Sequence, residues 1–110
     1  MPTTYKVLGQ SAPAANTTAN VYTVPAATQA VISSIIITNR NSGANATYRI
    51  AVQPAGAALA NQHYIAFDAP VTSLDSVALS LGITMGNTDI LSVYSANANI
   101  TFNVFGSEVT

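Results

Sequence analysis

Eight side chains in this sequence are charged or titrate near neutral pH: Lys6, Arg40, Arg49, His63, Asp68, Asp75, Asp89 and Glu108. General acid–base catalysis needs such groups positioned together beside a reacting atom. Here the carboxylates fall on separate predicted turns, and His63 has neither a cysteine nor a second histidine with which to share a metal. Zinc takes cysteine, histidine and carboxylate ligands, so a site here would require three scattered carboxylates, and a calcium loop needs aspartates clustered at short spacing. There is no G-x-S-x-G elbow and no glycine-rich phosphate loop. The expectation is a protein that is not an enzyme and carries no cofactor or metal. Asp68, Asp75 and Asp89 flank predicted strands, where Asp satisfies turn amides. His63 is expected at a strand end, bonded to a loop carbonyl.

Arg40 and Arg49 lie near one predicted hairpin. In a chain so poor in charge, they are candidates to pair with Asp or Glu of a neighbouring subunit, because the guanidinium fork suits interfaces. The alternative is an arginine solvated beside a turn. The aromatics Tyr22, Tyr48, Tyr64, Phe67, Tyr94, Phe102 and Phe105 mostly fall where a core wants them, and there is no Trp, so a carbohydrate module is open to the chain but unsupported by its sequence. Three N-x-[ST] triplets, at Asn16, Asn45 and Asn99, read as chance matches in a chain rich in Asn and Thr.

Charged residues are 6% of the 110, against about 25% in an average soluble domain. With a net charge of −1 there is no basic stripe for phosphates and no cluster for anionic lipid, so neither nucleic acid nor membrane is an expected partner. A surface of Asn, Thr, Ser, Gln and Ala with little self-repulsion suits a protein covered by copies of itself or by a partner. Cysteine is absent, which removes disulfides from consideration. The opening MPTTYKVLGQ lacks a basic stretch leading into an apolar one, so no secretory signal is expected and synthesis is placed in the cytoplasm.

The elements that must position these residues are strands. Alternation predicts them at 5–10, 21–24, 30–39, 47–52, 62–67, 76–83, 90–95 and 100–105, with turn chemistry between and GSEVT as a short tail. Ala57–Ala60 has room for one helical turn. About eight strands with turn signals every 8–12 residues predict an all-β fold, a single antiparallel β-sandwich. The strand count favours a jelly roll, with an Ig-like sandwich as the alternative. Residues 1–20 are read as an N-terminal strand and extended arm or loop, and 21–110 as the sandwich.

The segment 30–39 is the most apolar. Strict alternation puts Val31, Ser33, Ile35 and Ile37 on one face, and Ile32, Ser34, Ile36 and Thr38 on the other. A strand with water on one side should show one polar face. Either both faces are covered within the fold, or the second face meets another subunit, which makes Ile32 and Ile36 interface candidates. In 47–52, Tyr48, Ile50 and Val52 point inward and Arg49, Ala51 and Gln53 outward. In 76–83, Val77, Leu79, Leu81 and Ile83 form the inward set.

The segments YTVPAATQAVISSIIITNRNS, ATYRIAVQPAG, ANQHYIAFDAPV, SLDSVALSLGITM and TDILSVYSANANITFNVFGSEV together resemble a family of small virion proteins of tailed bacteriophages. The likeness runs over nearly the whole chain, and its motifs are structural, not catalytic. It implies a virion structural protein and a homo-oligomer. Members of this kind are capsid decoration (cement) proteins or domains near the tail or fibres. The expectation drawn from it is a trimeric sandwich on the capsid surface, bound to the major capsid protein and bridging capsomers, with the N-terminal arm and edge loops in contact. The alternative is a tail- or fibre-associated domain that binds a receptor or glycan.

Overall fold

The computed structural model describes residues 3–110, with the Leu81 side chain excepted, so the inward placement expected for Leu81 lies outside the described residues. The strands are β1 (Thr3–Ser11), β2 (Ala19–Thr23), β3 (Gln29–Asn39), β4 (Ala46–Gln53), β5 (Tyr64–Val71), β6 (Ser76–Met85), β7 (Ile90–Tyr94) and β8 (Ile100–Val109). They form two four-stranded antiparallel sheets, in the orders β1-β8-β3-β6 and β2-β7-β4-β5. Fold the chain at the β4–β5 connection and the first strand meets the last, the second the seventh, the third the sixth. Successive rungs of that long hairpin alternate between the sheets. This is jelly-roll order, and the Ig-like alternative does not form.

The apolar alternation read from the sequence is the physical reason for two stacked sheets, since each sheet has one face to hide. Ile35, Ile37, Ile50, Leu91, Ile100, Phe102 and Val104 are buried to 1% exposure or less between them. Fully burying one such side chain contributes about 1.5–3 kcal/mol. Tyr48 meets Phe102 edge to face, with centroids 6.3 Å apart, an arrangement favoured by the ring quadrupoles.

Strict alternation fails in β3. The register with both neighbours shifts between Ile32 and Ser34: against β8 the strand carries one extra residue, Ser33, while against β6 the extra residue lies on β6, and the parity of β3 reverses. Ala30 and Ile32 point inward before the bulge, and Ile35, Ile37 and Asn39 after it; all five are buried. Ile32 is therefore a core residue with 0% exposure, not the interface candidate expected. Ile36 stays on the outer face, half-buried, beside Asn103 and Ala78 in register.

Other boundaries also differ. The expected tail is the end of β8: Gly106–Val109 pair with β1 on one side and β3 on the other, and burial alternates through all ten residues. β5 does not stop at Phe67. It passes Asp68, whose φ is +52°, and continues through Pro70 to Val71. Proline is tolerated there because β5 is an edge strand. The helical turn expected at Ala57–Ala60 is replaced by 3-10 turns at Pro54–Gly56 and Asn61–His63.

The N-terminal strand is present and longer than expected. Thr3–Ser11 is an edge strand paired along its length with β8, and the expected boundary at 20/21 falls inside β2. Only 12–18 is loop. It is tied down where Asn16 N–H donates to the Ser95 carbonyl at 2.9 Å.

Candidate functional site

Arg49 sits at the middle of β4, on the outer face of its sheet, with Tyr94 of β7 as cross-strand partner. The irregularity in β5 at Asp68 turns that carboxylate onto the guanidinium. Arg49 Nε donates to Asp68 Oδ1 at 2.7 Å and Nη2 to Oδ2 at 3.1 Å, the bidentate geometry that only arginine provides. The guanidinium also lies 4.1 Å from the Phe67 ring centroid and 4.7 Å from that of Tyr94. Tyr64 packs edge to face on Phe67 at 4.9 Å. Tyr94 Oη donates to Asn16 Oδ1 at 3.1 Å, which joins the first loop to the cluster.

The result is a neutral ion pair bracketed by rings. The hydrogen bond from Arg49, then its charge, holds the Asp68 carboxyl below the usual carboxylate range, and Asp68 in turn raises Arg49. Neither group exchanges a proton near neutral pH, so the pair has no acid–base role. It can bind. Arg49, a candidate to pair with Asp or Glu of a neighbouring subunit, is paired with Asp68 of its own chain. Arg40 is elsewhere, in the β3–β4 turn, where its backbone N–H donates to the Asn99 carbonyl at 3.0 Å and Nη2 to Ala98 at 3.4 Å.

Sequence reasoning missed this cluster because it assigned the aromatics to the core and Asp68 to turn duty. Tyr22, Tyr48 and Phe102 are buried, but Phe67 is 56% exposed, and Tyr64, Tyr94 and Phe105 are half-buried. The available signal was parity: an outward Arg49 in a strand whose neighbours also offer outward aromatics.

The remaining carboxylates are occupied. Asp89 accepts from Gly86 N–H at 2.8 Å and from Ala55 N–H at 2.7 Å, and Asp75 accepts from Ser76 N–H at 2.8 Å, the turn duty expected of both. His63 closes its 3-10 turn differently from expectation: Nδ1 accepts from Ala60 N–H at 3.0 Å. Glu108, 8% exposed, is held by Lys6 at 2.8 Å and by the Tyr22 hydroxyl at 2.5 Å. Among the described residues, no group of three His, Cys, Asp or Glu is placed to hold a metal ion.

A second feature is the outer face of β1-β8-β3-β6. Register defines its rows: Tyr5, Ser107, Val31 and Thr84 form one, and Val7, Phe105, Ser34 and Ser80 the next. The rows beyond carry Gln10, Asn103, Ile36 and Ala78, then Thr101, Thr38 and Ser76. No charged residue stands in any of them. Three large apolar side chains are open there: Tyr5 at 83%, Val7 at 48% and Val31 at 37% exposure.

No protein-family model matches the chain, and a search of curated proteins finds no match.

Proposed function

We propose that this chain is a structural protein of a tailed-phage virion: a capsid decoration protein that binds the assembled lattice and bridges capsomers. The observation that carries the proposal is the charge-free outer face of β1-β8-β3-β6. Covering it strips water from no ion, which is the costly part of burying polar surface. It offers Tyr5, Val7 and Val31 as apolar contacts, with Ser, Thr, Asn and Gln left to hydrogen-bond.

Four strands of about ten residues span roughly 600 Å² at normal strand spacing and rise, close to the about 800 Å² each partner commits in a standard interface. In this reading the partners are the major capsid protein and two further copies of the chain, as a trimer at threefold or quasi-threefold positions on the particle surface. Such a clamp acts by mass action. It binds the closed shell and not its dissociated parts, so it shifts the equilibrium toward the intact particle.

Quantitative mass spectrometry of purified particles tests the proposal. A copy number equal to that of the major capsid protein, or a simple fraction of it, is expected. A few copies per particle would move the chain to the tail or fibres, and its absence from particles would end the virion reading.

A further inference from the structure

We propose that the free edge of β6 pairs with the same strand of a second copy, antiparallel across a two-fold axis at Ala78, joining two four-stranded sheets into one of eight strands. The contact is made edge-on and leaves the charge-free face uncovered. It is a property of the isolated chain, so counting copies in particles neither supports nor refutes it.

An unpaired strand edge is a template for another chain, and folds blunt it with inward charges, prolines, bulges or brevity. Three of the four edge strands here are blunted in this way. β1 points Lys6 at the buried Glu108 and shifts register between Val7 and Gly9. β2 has only five residues. β5 carries Asp68 at φ +52° and Pro70. By contrast β6, at the end of its sheet, runs for ten residues, SVALSLGITM, with neither charge nor proline. Its irregularity lies between Ser80 and Ile83, which leaves Ser76–Ser80 regular. Among the described residues, no backbone hydrogen bond leaves these five on the side away from β3.

The core is also unfinished along this edge. Val77, Leu79 and Ile83 point inward, opposite Ile37, Ile35 and Ile32 of β3. Those isoleucines are at 0% exposure, whereas Val77, Leu79 and Ile83 are only half-buried. A further strand would take that apolar surface out of water.

Two features make that strand the chain's own β6. Antiparallel pairing about Ala78 sets Ser76 against Ser80 and Ala78 against itself on the outer side, all small. On the inner side it sets Val77 against Leu79, both apolar. The same register brings Leu74, just before the run, to Gly82, just after it in the second copy. Leu74 is 68% exposed and held at φ +56°, a costly conformation for a leucine. Nothing among the described residues lies within 4 Å of a β-carbon built at Gly82. A fixed apolar knob thus meets an open gap.

Size sets the strength. Residues 74–82 span about 30 Å, and a sheet about 10 Å deep then gives roughly 300 Å² per copy, under half of the about 800 Å² of a standard interface. The dimer is therefore weak in solution. Under the decoration reading, copies held side by side on a shell raise its local concentration.

Sedimentation velocity of the full chain from about 10 μM to about 1 mM, the range of a weak contact, should show monomer passing to dimer. Val77→Lys puts an inward charge on the edge, from which its long side chain reaches water, and should raise the dimer dissociation constant about tenfold or more. Ala78→Cys supplies a lone thiol on the axis, where opposed strand residues stand close enough for a disulfide. It should give a crosslinked dimer, and Val31→Cys on the outer face should not. Circular dichroism establishes that each variant is folded, and the cysteine pair decides even if Val77→Lys is not. The proposal is overturned if the chain stays monomeric throughout that range, if folded Val77→Lys dimerises like the parent, or if Ala78→Cys crosslinks no faster than Val31→Cys. A dimer lost in Ile36→Asp and kept in Val77→Lys also overturns it, because the contact then lies on the charge-free face.

Discussion

Tyr22 and Glu108 join the two sheets through the core: the Tyr22 hydroxyl, from β2, donates to Glu108 Oε2, from β8, at 2.5 Å. Lys6 of β1 approaches the other carboxylate oxygen at 2.8 Å, with its side chain 47% exposed and that of Glu108 10%. One carboxylate thus ties the edge strand β1, the inner strand β8 and the opposite sheet. The hydrogen bonds from Lys6 and Tyr22 hold the Glu108 carboxyl below its ordinary value of 4.5, against the opposing effect of burial. Burial and Glu108 together push the Tyr22 hydroxyl far up.

This tie sets a pH dependence. Because the folded carboxyl titrates below the unfolded one, its stabilisation is complete above about pH 4.5 and is lost as the pH falls through the folded value. Denaturant melts should therefore show a midpoint that drops below pH 4.5. In Glu108→Gln that acid limb should flatten and stability at pH 7 should fall by about 1–3 kcal/mol. Asp68 also titrates low, so an unchanged limb in Glu108→Gln would assign the effect to the Arg49 pair instead.

The bulge at Ser33 predicts opposite outcomes for neighbouring isoleucines. Ile35→Asp and Ile32→Asp each place an unpaired charge at 0% exposure and should cost about 4 kcal/mol or more, enough to unfold a small domain. Ile36→Asp puts the charge on the outer face and should leave a folded chain with the parent's circular dichroism. Sedimentation of the parent and of that variant tests the proposed interface: self-association of the parent that disappears in Ile36→Asp would place the contact on the charge-free face. An unfolded Ile36→Asp would show that the second face is internal after all.

Asn39 is a buried polar anchor with 0% exposure. Its Nδ2 donates to the Ala44 carbonyl at 3.0 Å and to Val71 at 3.3 Å, and Oδ1 accepts from Asn41 N–H at 2.9 Å. It therefore holds the β3–β4 turn against the end of β5. Asn39→Ala strands those groups and should lose about 1–3 kcal/mol, read as a shift of the denaturation midpoint with unchanged slope. Asn39→Asp should be worse, since a carboxylate would face two carbonyl oxygens.

At Gly9, the backbone of β1 packs directly against that of β2 at Val21. A β-carbon there would stand 2.1 Å from the Val21 carbonyl oxygen and 3.0 Å from its carbon, both backbone atoms that cannot swing aside. Gly9→Ala should cost about 1–3 kcal/mol. Hydrogen exchange should show the loss first along β1, as the edge strand is pushed off.

Alternation and turn residues were enough to read two-layered, all-β architecture from the chain, because a period of two with one apolar face has few ways to hide that face. The same pattern located most strand centres and gave the inward positions of Tyr48, Ile50, Phe102 and Val104. It misplaced Ile32 because a bulge is one extra residue whose stability depends on both neighbouring strands, and no local signal at Ser33 announces it. It ended β5 and β8 early because Asp68, Pro70 and Gly106 read as breakers. In the folded chain an edge position tolerates the proline and a pairing on each side carries the glycine. Jelly-roll order, the Tyr22–Glu108 tie and the Arg49–Asp68–Phe67 cluster all join residues far apart in the chain, 86 positions in the first case and 19 between Arg49 and Asp68. Such contacts are chosen by which strands pair, where their registers shift and how the sheets stack, and only the tertiary structure contains that information.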